Sequence, residues 1–193
     1  MVKNYHLVIG LLFINVFACA AQPGSTRASV QHTYTSQVGV RELTGNNDGK
    51  QVEIYLKYVD LPKGNPWCAA FVCWVLGQNN VPNPKSGYCP MLFVKQNEVW
   101  KRTSKTNFGP LPGDVFGIYF QQKKRIAHVG LVDSWTAQTV NTVEGNTNDA
   151  GSREGDGVYR KIRLTRQIYA VTRFMNEKQP IAIVDVYALR RLR

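Results

Sequence analysis

Apolar residues at Val52, Ile54, Tyr55, Leu56, Tyr58 and Val59 recur near helical period, and Leu61-Pro62-Lys63-Gly64 ends the run. This predicts a helix over 51–61. Asn65-Pro66 then reads as a helix start, with Asn at the cap and Pro at the first helical position. The helix predicted from there to about Leu76 is apolar nearly all round, through Ala69, Ala70, Phe71, Val72, Trp74 and Val75. A helix of that kind is buried. After Pro110 the period shortens. Runs at 115–120, 128–135, 139–144, 157–164 and 168–174 are short and rich in Val, Ile, Tyr and Thr, with turn residues between them. Residues 181–187 would add a last strand. Helices first and consecutive strands afterwards predict an α+β fold with an antiparallel sheet.

Two flanking segments differ from this pattern. Lys3, an apolar run from Leu7 to Ala18 and the small residues Ala18, Cys19, Ala20 and Ala21 have the layout of an export signal over 1–21. The run is shorter than the ~20 residues a spanning helix needs. Cys19 at its end fits a lipoprotein signal, and Ala18-Cys19-Ala20 also fits an ordinary cleavage site. Residues 22–36 are polar and aperiodic and read as a tether. A folded domain is expected over 37–176 and a basic extension over 177–193.

Twenty-four Lys and Arg against thirteen Asp and Glu give a net charge of +11, which calls for an anionic partner. The export signal turns that expectation away from nucleic acid and toward an acidic polymer, with membrane contact only through a lipid on Cys19. A monomer is expected.

Cys68 falls in the first turn of the buried helix, where unpaired N–H groups and the helix dipole stabilise a thiolate. Cys73, deeper in the same helix, reads as core. His128 is the histidine inside the folded region, since His6 lies in the signal and His32 in the tether. If 128–135 and 139–146 pair as antiparallel neighbours, Glu144 returns beside His128 and can orient it. Asn146 would face the same way if the strand stays regular through Gly145. Trp67 is the expected cleft wall, ahead of Tyr88, whereas Trp100 and Trp135 read as core. A Cys73–Cys89 disulfide is open in an oxidising compartment. The cysteine spacings fit no tight zinc motif.

Pro66-Trp67-Cys68-Ala69-Ala70-Phe71-Val72, Gly113-Asp114-Val115, His128-Val129-Gly130 and Glu144-Gly145-Asn146 resemble the CHAP family of amidohydrolases and peptidases. The resemblance covers roughly 38–175. It implies a papain-like fold, with Cys68 as nucleophile, His128 as base, Glu144 as orienter and Asn146 as auxiliary. It also implies peptidoglycan as substrate, cut at the muramoyl-L-alanine amide or within the stem peptide. Asp114 is taken as a turn residue. The calcium loop of some members has too few carboxylates here, between Asn46 and Asp60, so no metal and no cofactor is expected. Two alternatives remain open: a wall-binding module on the same fold, and acyl transfer through the same thioester.

Overall fold

The computed structural model describes residues 26–103, 109–149 and 155–175. Residues 1–21 with Cys19, and the strand expected over 181–187, lie outside the described residues.

The described residues form three α-helices and a six-stranded antiparallel sheet, an α+β arrangement. The helices are α1 (Thr26–Ser36), α2 (Lys50–Tyr58) and α3 (Cys68–Gln78). The strands are β1 (Glu98–Lys101), β2 (Val115–Phe120), β3 (Arg125–Trp135), β4 (Thr139–Thr147), β5 (Gly157–Leu164) and β6 (Ala170–Thr172), in the spatial order β1-β6-β2-β3-β4-β5. Alternation along the strands sorts the residues to two faces. Val115, Val129, Leu131 and Val143 join the helices in the main core. Phe116, Val132, Val140, Ile168 and Val171 form a smaller cluster with Trp100 and Trp135, whose rings meet edge to face at 5.0 Å.

Three expectations need correction. The segment read as a tether is, from Thr26 on, helix α1. Its apolar content is only Val30 and Tyr34, too little to register as periodicity, but their i, i+4 spacing puts both on one face and both are fully buried. Second, α3 begins at Cys68 with Trp67 as its cap, two residues later than Asn65-Pro66 suggests. The Asn65 side chain donates back to the Pro62 carbonyl at 3.0 Å instead of capping the helix. Third, β1 went unforeseen. It is a short edge strand, Glu-Val-Trp-Lys, held against β6.

Asp114 does more than turn the chain. It has no exposed surface and accepts from Arg173 through Nε at 3.0 Å and Nη2 at 2.7 Å, from the Leu111 N–H at 2.9 Å, and from Arg27 of α1 at 3.4 Å. One carboxylate therefore joins the first helix, the entry to β2 and the segment after β6. Breaking a buried ion pair by removing one partner strands the other charge and costs about 3–5 kcal/mol. Asp114→Ala is expected to lower the unfolding free energy by that much in urea titration. A loss below about 1 kcal/mol, the range of exposed pairs, would show that the carboxylate does not fasten these segments.

Candidate active site

Cys68 is the first residue of α3, and the first i to i−4 bond of that helix is Phe71 N–H to the Trp67 carbonyl at 2.8 Å. The N–H groups of residues 68–70 therefore precede the helical ladder and leave partial positive charge at the sulfur's end of the helix. His128 lies on β3 just past a bulge, since Ile118 pairs with His128 and the next residue, Tyr119, with Ile126. A bulge re-aims side chains, and here it brings the imidazole to the cavity that Cys68 also lines, near enough for each group to shift the other's ionisation. Glu144, from β4, accepts from His128 Nε2 at 2.7 Å. That leaves Nδ1 for the sulfur.

Glu144 is completely buried and takes three further bonds. Arg163 of β5 grips it with Nε to Oε1 at 2.8 Å and Nη2 to Oε2 at 2.5 Å, and Thr142 Oγ1 donates to Oε1 at 2.6 Å. Burial opposes ionisation, but Arg163 and then His128 hold the carboxyl well below the usual range. Burial likewise opposes an imidazolium, yet the bonds to Cys68 and Glu144 push His128 up to about 9. Arg163 was not legible in the sequence, where it is one of several alternating cations on a strand.

Cys89 is the other residue the sequence did not assign here. It opens a short 3-10 turn, Cys89–Leu92, and its Sγ lies 3.6 Å from Cys68 Sγ. This overturns the Cys73–Cys89 pairing, for Cys73 Sγ instead bonds the Ser86 carbonyl at 3.5 Å. The hydrogen bond with Cys89 is the main cause that pulls Cys68 well below an ordinary thiol; burial opposes it, and His128 and the Val129 N–H assist. The same bond, with burial, pushes Cys89 up, while burial raises Cys73 to about 11. Of the three described sulfurs only that of Cys68 is pulled toward the thiolate, the nucleophilic form.

Asn146 does not reach the imidazole. The register shifts between Glu144 and Thr147, and Asn146 adopts a left-handed φ of 54°. Its side chain turns to α3, accepting from the Trp67 N–H at 3.2 Å and donating to Asn47 at 2.9 Å. Gly145 permits the close approach, since a Cβ there would lie 2.7 Å from Trp67 and 2.9 Å from Phe71. Trp67 is not a cleft wall. It is fully buried, stacked on Tyr55 at 5.6 Å, with Nε1 donating to Glu42 at 2.8 Å. The aromatics at the cleft are Tyr88, 51% exposed beneath the Arg125 guanidinium, and on the His128 side Tyr119 and Phe120.

Cys68, His128 and Asn146 line a cavity of about 200 Å³. It continues into a depression of about 410 Å³ on the Cys68 side, with Tyr88 and Cys89, and one of about 460 Å³ on the His128 side, with Arg163 and Lys161. Among the described residues no three His, Cys, Asp or Glu side chains gather as metal ligands, and Asp48 is engaged by Thr44 at 2.9 and 2.8 Å.

Cys68 is expected to react with iodoacetamide at pH 6, far below the ~8.5 of an ordinary thiol, and Cys89→Ala to move the acid limb of that rate upward. A limb at the ordinary thiol position in the native protein would refute the thiolate. The folded-state value of His128 lies above its ordinary value. Its stabilisation is therefore complete below about 6.5 and is lost as pH rises through about 9. Glu144 has the opposite sign: its contribution is present above the usual carboxylate range and is lost as pH falls through its depressed value.

Residues 60–146, which include Cys68, His128 and Glu144, match the family model of the CHAP domain. No curated protein and no solved structure matches the chain.

Proposed function

We propose that this chain, which carries a CHAP domain over residues 60–146, is an exported thiol hydrolase that cuts an amide bond in peptidoglycan. The domain points to peptidoglycan-hydrolase or amidase-type chemistry. What supports the finer reading is one arrangement, in which a cysteine at a helix start, its thiol pulled well below the ordinary range, shares a cavity with an imidazole held by a buried carboxylate. Export rests on the apolar run before Cys19, and the acidic-polymer substrate on the net charge of +11.

In this mechanism the Cys68 thiolate adds to the amide carbonyl carbon. Negative charge moves to the carbonyl oxygen, which the N–H groups at the start of α3 are suited to receive. His128, protonated by virtue of its raised pKa, gives its proton to the leaving nitrogen as the C–N bond breaks. A thioester on Cys68 and a free amine result. Neutral His128 then takes a proton from water, the hydroxide adds to the thioester, and C–S cleavage returns the acid and the thiolate. Glu144 stabilises the imidazolium in each half and keeps the ring oriented. Asn146 acts on the other partner by holding the backbone just before Cys68 in place.

An amine in place of water would make the same thioester an acyl-transfer intermediate. A wall-binding module would need neither the depressed thiol nor the charged triad. Digestion of purified peptidoglycan, followed by mass spectrometry, tests the reading. The native protein should release new termini whose masses name the bond, and Cys68→Ala should lose at least about 10³-fold in rate, as expected when a nucleophile is removed. Equal cutting by both proteins would reject the thiol mechanism.

A further inference from the structure

We infer that the depression on the Cys68 side of the cleft is a carboxylate-binding subsite for the acyl half of the substrate. The word substrate rests on the hydrolase reading, but the anion site does not. The direction follows from the chemistry. His128 must protonate the leaving amine, so the leaving half lies over His128. The acyl half then extends the other way, into the depression that Cys68 lines and His128 does not. Its floor and walls include Leu61, Pro66 and Tyr88, and its charged residues are Lys85, Lys123 and Arg125. No acidic side chain is among the described residues lining it.

The two ends of the cleft differ in what their cations already hold. At the His128 end, Arg163 is spent on Glu144, Lys161 on the Asn148 carbonyl, and Arg102 on the Ile168 carbonyl at 3.0 Å. At the Cys68 end, Arg125 also donates to a carbonyl, that of Ile126 at 3.1 Å, but none of the three cations belongs to an ion pair among the described residues. Lys85 rests 5.4 Å from the Tyr58 ring and Arg125 4.9 Å from the Tyr88 ring. Concave walls bearing one sign of charge concentrate the opposite ion. The ligand class is a peptide whose acyl residue, or its neighbour, keeps a free carboxylate, such as a glutamate linked through one carboxyl only.

The probe is Cys68 itself, alkylated by anionic iodoacetate and by neutral iodoacetamide at low salt. Lys85→Ala with Lys123→Ala is expected to lower the iodoacetate-to-iodoacetamide rate ratio about two- to thirtyfold, from ~0.2–1 kcal/mol for each of the two exposed charges. The iodoacetamide rate itself should hold. An unchanged ratio overturns the subsite whatever wall digestion gives. A lowered ratio without wall digestion keeps the subsite and removes the substrate assignment.

A second inference stands on the sulfur pair alone. The geometry points to Cys68 and Cys89 as a reversible lock closed by a peroxide. Their sulfurs are 3.6 Å apart and both are nearly buried; a disulfide needs about 2.0 Å. The Cys68 thiolate takes one oxygen of hydrogen peroxide as the O–O bond breaks, giving a sulfenic acid and, with one proton, water. Cys89 loses its proton, its sulfur attacks the sulfenic sulfur, and the displaced hydroxide takes that proton as a second water. Peroxide is reduced and two thiols are oxidised. Mass spectrometry of the native protein after peroxide should find a mass two hydrogens lower, reversed by dithiothreitol, with Cys68 and Cys89 both refractory to alkylation. In Cys89→Ser the oxidation should run on to the irreversible acids. Oxygen adducts on Cys68 with Cys89 still alkylatable in the native protein would overturn the lock.

Discussion

A carboxylate with no exposed surface must be met by donors on every side, and Glu144 is met by Arg163, His128 and Thr142. These residues sit on β3, β4 and β5. The bonds therefore fix three strands in one register as well as orienting an imidazole. A slip of one residue would turn Glu144 to the helix-packed face, in place of Val143, and leave Arg163 without its partner. The catalytic order and the strand order are the same constraint seen twice. Because Arg163 occupies one side of the carboxylate, Glu144 stays ionised whatever the protonation of His128, and the imidazolium always has its counter-ion.

The nucleophile is placed by a separate device. Gly145 brings β4 against Trp67 and Phe71, and Asn146 ties the backbone at the start of α3. Trp67 is the anvil for this contact. It is buried among Tyr55 and Phe71 and pinned by Glu42, so the sulfur one residue later has a rigid base. Adjacent residues of β4 thus divide the labour: Glu144 holds His128, and Gly145 and Asn146 hold the chain at Cys68.

Where a residue's role depends on position along one element, the sequence shows it. Cys68 at a helix start and His128 beside Glu144 follow from element order and antiparallel pairing, and the structure joins them as expected. Where a role depends on what lies across the fold, pattern is silent. Arg163 looks like a solvated strand residue until β5 is laid beside β4. Cys89 looks like any small apolar residue until the 3-10 turn carries it to Cys68. Trp67 sits next to the nucleophile in the chain, but its ring points the opposite way, because Pro66 and the late helix start turn it into the core. The polar composition of 26–36 hides a docked helix, since two apolar residues and one arginine suffice when a buried aspartate waits for them.

That aspartate also sets the order in which the molecule can be made. Asp114 bonds Arg27, 87 residues earlier, and Arg173, 59 residues later. Contacts so distant along the chain form slowly, because the intervening loops must close first. A nascent chain that ends short of residue 173 cannot complete this knot, although α1 also docks through Val30 and Tyr34 in the core and a Tyr34 bond to Asp133. The triad is subject to the same delay, since Arg163 follows Cys68 by more than half the folded length. The clamp of Arg163 on Glu144 is therefore complete only once β5 lies beside β4, late in the chain's synthesis.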